Sequence, residues 1–157
     1  MKLTYLTVAA TLVAGSAFAA EVGPKEVKYN DDTAIEMSLT GVAGDPAKGA
    51  VIMATKSKGN CVACHEITAL SAPFQGNVGP MLDGAGDRWS MGELRGLVVN
   101  AKMMFEGSVM PSFYQVDGFT RPGNAYTGKA GQEPLAPLLS AQEIEDVVAF
   151  LATLKDE

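Results

Sequence analysis

The chain has 157 residues, with 12 basic and 18 acidic side chains and a net charge of −6 at pH 7. This acidic balance argues against a nucleic-acid-binding protein, whose binding surface is basic. The length is sufficient for one domain with a hydrophobic core of its own. No internal repeat or coiled-coil pattern is visible.

The first 20 residues resemble a secretory signal peptide. Lys2 precedes an uncharged run that continues to Ala20 and ends in the small-residue pattern of a signal peptidase site, Ala17-Phe18-Ala19. The alternative is an uncleaved membrane anchor, because the run is just long enough to span a bilayer. Its many small residues and the lack of a following basic cluster favour cleavage. We therefore predict a signal peptide at residues 1–20.

Two features are predicted before the central motif. Residues 21–44 are polar and mixed, and indicate an N-terminal extension without strong structure. It is expected to wrap the domain, to dock on a partner or to be a loose tail. Asp45 as N-cap and Pro46 at the first helical position predict a first helix. Gly59 is expected to end it. Its apolar positions are Ala47, Ala50, Val51 and Ala54.

The two cysteines and the single histidine of the sequence fall within five residues, as Cys61-x-x-Cys64-His65. This pattern is typical of covalent haem attachment, in which two thiols bond one haem edge and the imidazole reaches the iron. Zinc needs about four ligands, and a thioredoxin-like motif needs a βαβ context. A structural disulfide stays open as an alternative. The motif predicts one haem c and, because such haem is attached outside the cytoplasm, a periplasmic location.

The following loop, residues 72–86, is rich in glycine and proline and contains Gly79-Pro80. A ligating histidine usually donates its other N–H to a nearby acceptor, and a loop carbonyl near Pro80 is the candidate acceptor for His65. The alternative to this role is a simple turn. Trp89, the only tryptophan, either packs on the haem edge, donates its indole N–H to a haem propionate, or serves as a core aromatic.

Two capping boxes predict the later helices. Ser90 with Glu93 opens one, and Ser140 with Glu143 opens the last, in which Lys155 is expected in the final turn. The predicted apolar faces are Leu94, Leu97, Val98 and Ala101 in the first, and Ile144, Val147, Val148, Leu151 and Leu154 in the last.

A long segment without clear periodicity, residues 111–139, separates these two helices. Such loops tend to be functional, and we expect this insert to be ordered over the haem or against a partner. The large apolar residues that favour packing over disorder are Phe113, Tyr114, Phe119, Tyr126, Leu135 and Leu138.

Methionine is the best remaining soft ligand for the second axial position, since no other histidine or cysteine exists. Met110 lies in a loop before Pro111, 45 positions after His65, and is the predicted ligand. Met103 and Met104 are the alternatives. His/Met ligation raises the reduction potential and closes the iron to substrates, which favours electron transfer. An enzyme with an open iron site remains a further possibility if no methionine binds.

The order of helix, C-x-x-C-H, Gly-Pro loop, loop methionine and amphipathic last helix resembles class I cytochromes c. The resemblance implies an all-α, class I cytochrome c-like domain at residues 45–157, with the extension at 21–44 and the long insert before the C-terminal helix. It also implies that the first and last helices cross at Gly49 and Phe150, and that Pro80 lies on the histidine side of the haem.

A closer resemblance is to the SoxX family, the monohaem subunits of bacterial SoxAX complexes. It is carried by residues 59–65 and 76–80, by the helix after Trp89, by residues 110–113 and by the insert. It implies a heterodimer with SoxA, acting as an L-cysteine S-thiosulfotransferase that couples thiosulfate to a cysteine of the carrier SoxYZ. SoxA bears the catalytic cysteine, and SoxX passes the electrons to a soluble cytochrome c. A free periplasmic cytochrome c shuttle is the alternative.

Overall fold

The computed structural model describes residues 20–123 and 127–156. The predicted signal peptide falls on residues 1–19 and Ala20, so nearly all of it lies outside the described residues, as does Tyr126. Within the described part, no helix is long and apolar enough to cross a membrane.

The regular structure of the described residues is helical. There are four α-helices, namely α1 (Pro46–Ala54), α2 (Ala85–Arg88), α3 (Met91–Asn100) and α4 (Ala141–Leu151). Two short 3₁₀ turns lie at Cys61–Ala63 and Ala101–Met103. Pairing of β type is limited, in the same ranges, to one isolated bridge between Gly123 and Ala130. The predicted all-α class is confirmed, and the short α2 is an addition to the prediction.

Helix α1 begins as predicted but ends early and buries another face. The Asp45 carboxylate accepts hydrogen bonds from the amides of Ala47 and Lys48. The helix stops at Ala54, and Gly59 instead closes the following turn, donating to the carbonyl of Ile52 at 3.2 Å. The predicted apolar face was wrong, because Val51 is 64% exposed. The buried residues are Gly49, Ile52 and Met53.

The crossing of α1 and α4 explains that choice of face. A Cβ on Gly49 would lie 2.0 Å from the carbonyl oxygen of Asp146 and 2.9 Å from the Cβ of Phe150. Only glycine permits such a close backbone approach. The crossing at Gly49 and Phe150 that the family resemblance implied is therefore present, and it turns Val51 away from the core.

Both capping boxes are formed. Ser90 and Ser140 each accept from the amide three residues later, and Glu93 and Glu143 reach back to the cap amides. The apolar residues predicted for these two helices are buried, apart from the half-buried Leu97. Ala101 and Leu154 are among them, although they lie just beyond the ends of α3 and α4. The position expected for Lys155 was wrong, since α4 ends at Leu151. The ammonium group of Lys155 instead donates to the carbonyl of Gly86 at 2.6 Å.

The N-terminal extension wraps onto the helices although it contains no helix of its own. Ile35 and Leu39 are 3% and 1% exposed and belong to the core. A buried ion pair between Arg95 of α3 and Glu145 of α4 holds this extension. Arg95 donates to the carbonyl of Ile35 at 2.6 Å, and Glu145 accepts from the amide of Leu39 at 2.8 Å. The extension is therefore wrapped on the domain rather than loose.

The insert is anchored at its two ends. Phe113, Tyr114 and Leu139 are buried, and the Leu139 amide donates to the Phe113 carbonyl at 3.0 Å. Phe119 and Leu138, which were expected to pack over the haem or against a partner, are 46% and 57% exposed in the chain alone. The described part of the insert therefore rests on the core through its ends and leaves apolar side chains on the surface.

Candidate haem-binding site

The C-x-x-C-H motif forms a tight turn directly after α1. Asn60 adopts the left-handed conformation (φ 49°, ψ 35°), which asparagine tolerates better than most residues. The amides of Cys64 and His65 then both donate to the carbonyl of Cys61, at 3.0 and 2.9 Å. No disulfide joins the two cysteines. The turn therefore presents two thiols and the imidazole within one short stretch.

The two thiols have different surroundings. Cys64 is exposed, whereas Cys61 is partly buried and packs against the hydrophobic core. Burial raises the pKa of the Cys61 thiol to about 12, because the thiolate would be desolvated there. An apolar setting of this kind suits a neutral thioether beside a haem edge.

A glycine-rich loop runs along the motif and forms two backbone hydrogen bonds with it. The amides of Gly76 and Gly79 donate to the carbonyls of Val62 and Cys64, both at 2.8 Å. A Cβ on Gly76 would lie 2.0 Å from the carbonyl oxygen of Ala63. Gly76 therefore allows the loop to lie directly against the turn that carries the cysteines.

The imidazole of His65 is held by this loop. Its Nδ1 lies 2.7 Å from the carbonyl oxygen of Pro80, which is the acceptor that the sequence predicted. Because a carbonyl can only accept, Nδ1 carries the proton and Nε2 keeps a lone pair for a metal. A Cβ on Gly79 would lie 2.3 Å from Cε1 of the ring, so the glycine forms the seat of the imidazole.

The side chain of Gln75 fixes the base of the same loop, a role that the sequence did not reveal. Its Oε1 accepts from the amide of Ile67 at 2.6 Å, and its Nε2 donates to the carbonyls of Ile67 and Leu70 at 3.1 and 2.7 Å. Ile67 is fully buried. No sequence motif indicates that a glutamine will bond backbone groups five and eight positions before it.

Met110 lies in a segment that is tied to the end of α3. Its side chain is partly buried and packs against the core. Its amide donates to the hydroxyl of Ser108 at 3.2 Å, and its carbonyl accepts from the Lys102 ammonium at 2.5 Å. The buried Ser112 donates to Asn100 Oδ1 at 2.7 Å. These polar anchors were missed at the sequence level, where serine, asparagine and lysine in a loop carry no distinctive signal.

The other methionines occupy different surroundings. Met53 is 1% exposed inside the core. Met81 lies in the loop on the His65 side and is 48% exposed. Met103 is 50% exposed, and Met104 lines a groove together with Trp89. Met110 stays the predicted second axial ligand, with Met103 and Met104 as the alternatives.

Trp89 is partly buried just before α3. Its ring meets that of Phe105 edge to face, with centroids 6.2 Å apart and planes at 82°. It also packs against the core. Its proposed roles at the haem edge and in the core are both compatible with an aromatic residue that reaches the core on one side and a groove on the other.

The donor set fits a c-type haem. Two thiols three positions apart can form thioether bonds at one haem edge, and the adjacent imidazole, oriented by a carbonyl, can bind iron through Nε2. Cys61 and Cys64 would hold the group, and His65 and Met110 would be its axial ligands. A haem held in this way supplies one-electron chemistry.

Comparison with known proteins agrees with this geometry. The sequence matches the Cytochrome c family over residues 46–155. Among solved structures it is similar to SoxXA from P. pantotrophus, with 61% sequence identity and a TM-score of 0.83. The similarity covers 87% of this chain and 100% of that one. No curated protein sequence matches the chain.

The family match spans more than half of the chain, and the identity to the solved structure extends over most of it. Both agree with the C-x-x-C-H motif and the helical fold described above. The chain therefore belongs to the cytochrome c family, is a SoxX-type cytochrome, and carries one covalently bound haem c.

Proposed function

We propose that this chain is the electron-accepting subunit of a SoxAX-like complex in the periplasm, paired with a SoxA-like cytochrome subunit. The observation that carries the proposal is the 61% identity to a SoxXA structure across the whole of the matched chain. The complex would act as an L-cysteine S-thiosulfotransferase. A sulfur–sulfur bond forms between thiosulfate and a cysteine of a SoxYZ-like carrier protein, while the thiol proton and two electrons leave.

The cysteine content of the chain supports a non-catalytic role in that reaction. Its two cysteines are both used by the haem motif, so no thiol is left for sulfur transfer. The catalytic cysteine is therefore assigned to the partner subunit. This chain would accept the released electrons singly and pass them to a soluble cytochrome c.

The residues of the site would serve this role by holding the iron ligands rigidly. The Pro80 carbonyl keeps the proton on Nδ1 of His65, and Gly79 seats the ring. Met110, as the second axial ligand, would favour the ferrous state and block small molecules from the iron. Trp89 would contribute to the apolar surroundings of the haem.

The Met110 assignment is tested in the oxidised holoprotein. Met110→Ala is expected to abolish the far-red charge-transfer band of iron–sulfur ligation, because no thioether then reaches the iron. Met103→Ala is the matched control, and should keep the band. If Met110→Ala keeps it and Met103→Ala loses it, Met103 is the ligand.

The partner assignment is tested by native mass spectrometry of the complex from thiosulfate-grown cells. A heterodimer with a second cytochrome subunit is expected. The mass of this chain should also correspond to loss of residues 1–20 and gain of one haem. A lone monomer with one haem would instead favour a free electron shuttle, for which the general Cytochrome c match over residues 46–155 is the supporting observation.

A further inference from the structure

We propose that Tyr114 is a positioning residue that couples the N-terminal extension, residues 21–44, to the loop of the predicted ligand Met110. The inference rests on the proposed His/Met ligation. Tyr114 lies four positions after Met110 and its side chain is only 2% exposed. Its hydroxyl donates to the carbonyl of Val22 at 2.8 Å.

The acceptor of this hydrogen bond is itself held in place. The amide of Val22 donates to the carbonyl of Leu39 at 2.8 Å. The amide of Leu39 donates to Glu145, which is paired with Arg95 in the core. A continuous chain of hydrogen bonds therefore connects the Tyr114 hydroxyl to the ion pair between α3 and α4.

The backbone of Tyr114 is attached to the C-terminal part of α3. Its amide donates to the carbonyl of Val99 at 3.3 Å, and the preceding amide, of Phe113, donates to Val98 at 3.4 Å. Together with the Asn100–Ser112 bond, these contacts hold the segment after Met110 to the end of α3. The hydroxyl ties this segment to the extension, through Val22 and a longer contact of 3.4 Å to the Glu21 carboxylate. An exposed ion pair between Lys25 and Asp117 is a second link from the extension to the insert.

This tie bears on ligand retention because the Met110 segment has no helix or strand to order it. A loop ligand stays on the metal only if ordering the loop costs little conformational entropy. Each residue that becomes free to move raises that entropic cost. Removing the hydroxyl would also leave the Val22 carbonyl without its donor. The loop would then release the methionine more readily, although no group at the iron has changed.

The ionisation state of the hydroxyl is consistent with a permanent donor. Burial, with further contributions from the charge and hydrogen bond of Glu21, raises the pKa of Tyr114 to about 12. The phenol therefore keeps its proton through neutral pH and donates throughout the range in which the protein would work.

The test compares two variants of the holoprotein. Tyr114→Phe removes the hydroxyl that bonds Val22. Tyr29→Phe is the matched control, because Tyr29 lies in the extension that Tyr114 contacts. Its buried hydroxyl has no hydrogen-bond partner among the described residues. The far-red band of the oxidised protein is followed as a function of pH, and carbon monoxide binding is measured in the reduced protein.

The equilibrium constant for loss of the band should rise about fivefold in Tyr114→Phe, the effect of losing one net hydrogen bond. Carbon monoxide, which competes with the methionine, should bind correspondingly better. Tyr29→Phe should match the wild type in both measurements. A purely structural role would lower the resistance of Tyr114→Phe to guanidinium chloride and leave both ligand measurements unchanged, and that result would overturn the inference.

The experiment separates this inference from the proposed function. If the wild type has the band, Met110→Ala loses it and Tyr114→Phe behaves as wild type, only the role of Tyr114 is wrong. If the wild type lacks the band, or Met110→Ala keeps it, the ligation itself is wrong and the inference falls with it.

Discussion

At the scale of single residues, two backbone groups determine the chemistry that His65 can perform. The Pro80 carbonyl lies 2.7 Å from Nδ1 and selects the tautomer. Gly79 leaves room for the ring, since a Cβ there would lie 2.6 Å from the same Nδ1. The sequence indicated the acceptor through its Gly-Pro pair. It did not indicate that the glycine side of the pair faces the ring, because that depends on how the loop folds back.

Gly79→Ala is expected to destabilise the holoprotein by roughly 1–3 kcal/mol, the usual effect of overpacking. The added methyl group must displace either the imidazole or the loop backbone, and either movement disturbs the bond to Pro80. Guanidinium chloride unfolding and the reduction potential measure the change. Gly107→Ala, where a Cβ would meet nothing within 4 Å, should alter neither, and equal effects of the two substitutions would contradict the seating role.

At the scale of secondary-structure elements, helix starts were predictable and helix faces were less so. Asp45, Ser90 and Ser140 cap α1, α3 and α4 as predicted, because a cap is formed by residues that are neighbours in sequence. The buried face of α1 was mispredicted, because it is selected by the contact between Gly49 and the distant Asp146. Because α1 is only weakly amphipathic, its packing against α4 decides which of its faces is buried.

The capping box of α3 predicts a pH dependence. Hydrogen bonds from the backbone and hydroxyl of Ser90 hold the pKa of the Glu93 carboxyl below its ordinary value of 4.5. A lowered folded-state pKa stabilises the protein fully above pH 4.5, and this contribution disappears as the pH falls through the lower, folded-state value. The difference in unfolding free energy between the wild type and Glu93→Gln should therefore be largest near pH 7 and shrink at pH 3.

The exposed Glu106→Gln controls for the loss of one negative charge in that comparison. Guanidinium chloride titrations at both pH values provide the measurement. A Glu93→Gln difference that stays constant with pH, or that grows as the solution becomes acidic, would contradict the assigned role of the carboxylate.

At the scale of the whole molecule, a buried ion pair joins three parts of the chain. Arg95 Nε and Nη2 donate to the two carboxylate oxygens of Glu145 at 2.8 and 3.0 Å, with side chains 5% and 3% exposed. In the extension, the carbonyl of Ile35 accepts from Arg95 Nη1. The amide of Leu39 donates to the Glu145 carboxylate. The pair therefore specifies how α3, α4 and the extension meet, since each of its charges is satisfied only in that arrangement.

Glu145→Gln is expected to destabilise the protein by roughly 3–5 kcal/mol, because it leaves the Arg95 charge buried without its counter-ion. Proteolysis within the extension should become faster, since the Leu39 amide loses a carboxylate acceptor. Asp117→Asn is the control at an exposed pair, 3.1 Å from Lys25 with side chains 62% and 68% exposed, and should change stability by less than about 1 kcal/mol. Equal losses would show that burial of the pair does not matter.

The sequence by itself determined the haem motif, the helix caps and the all-α class. Each of these depends on groups that are close along the chain. The tertiary structure decided the seat of His65 on Gly79, the buried face of α1 and the wrapping of the extension by the Arg95–Glu145 pair. It also decided the bond from Tyr114 to Val22. These features join residues distant in sequence, and no local pattern encodes which of several compatible neighbours will meet when the chain packs.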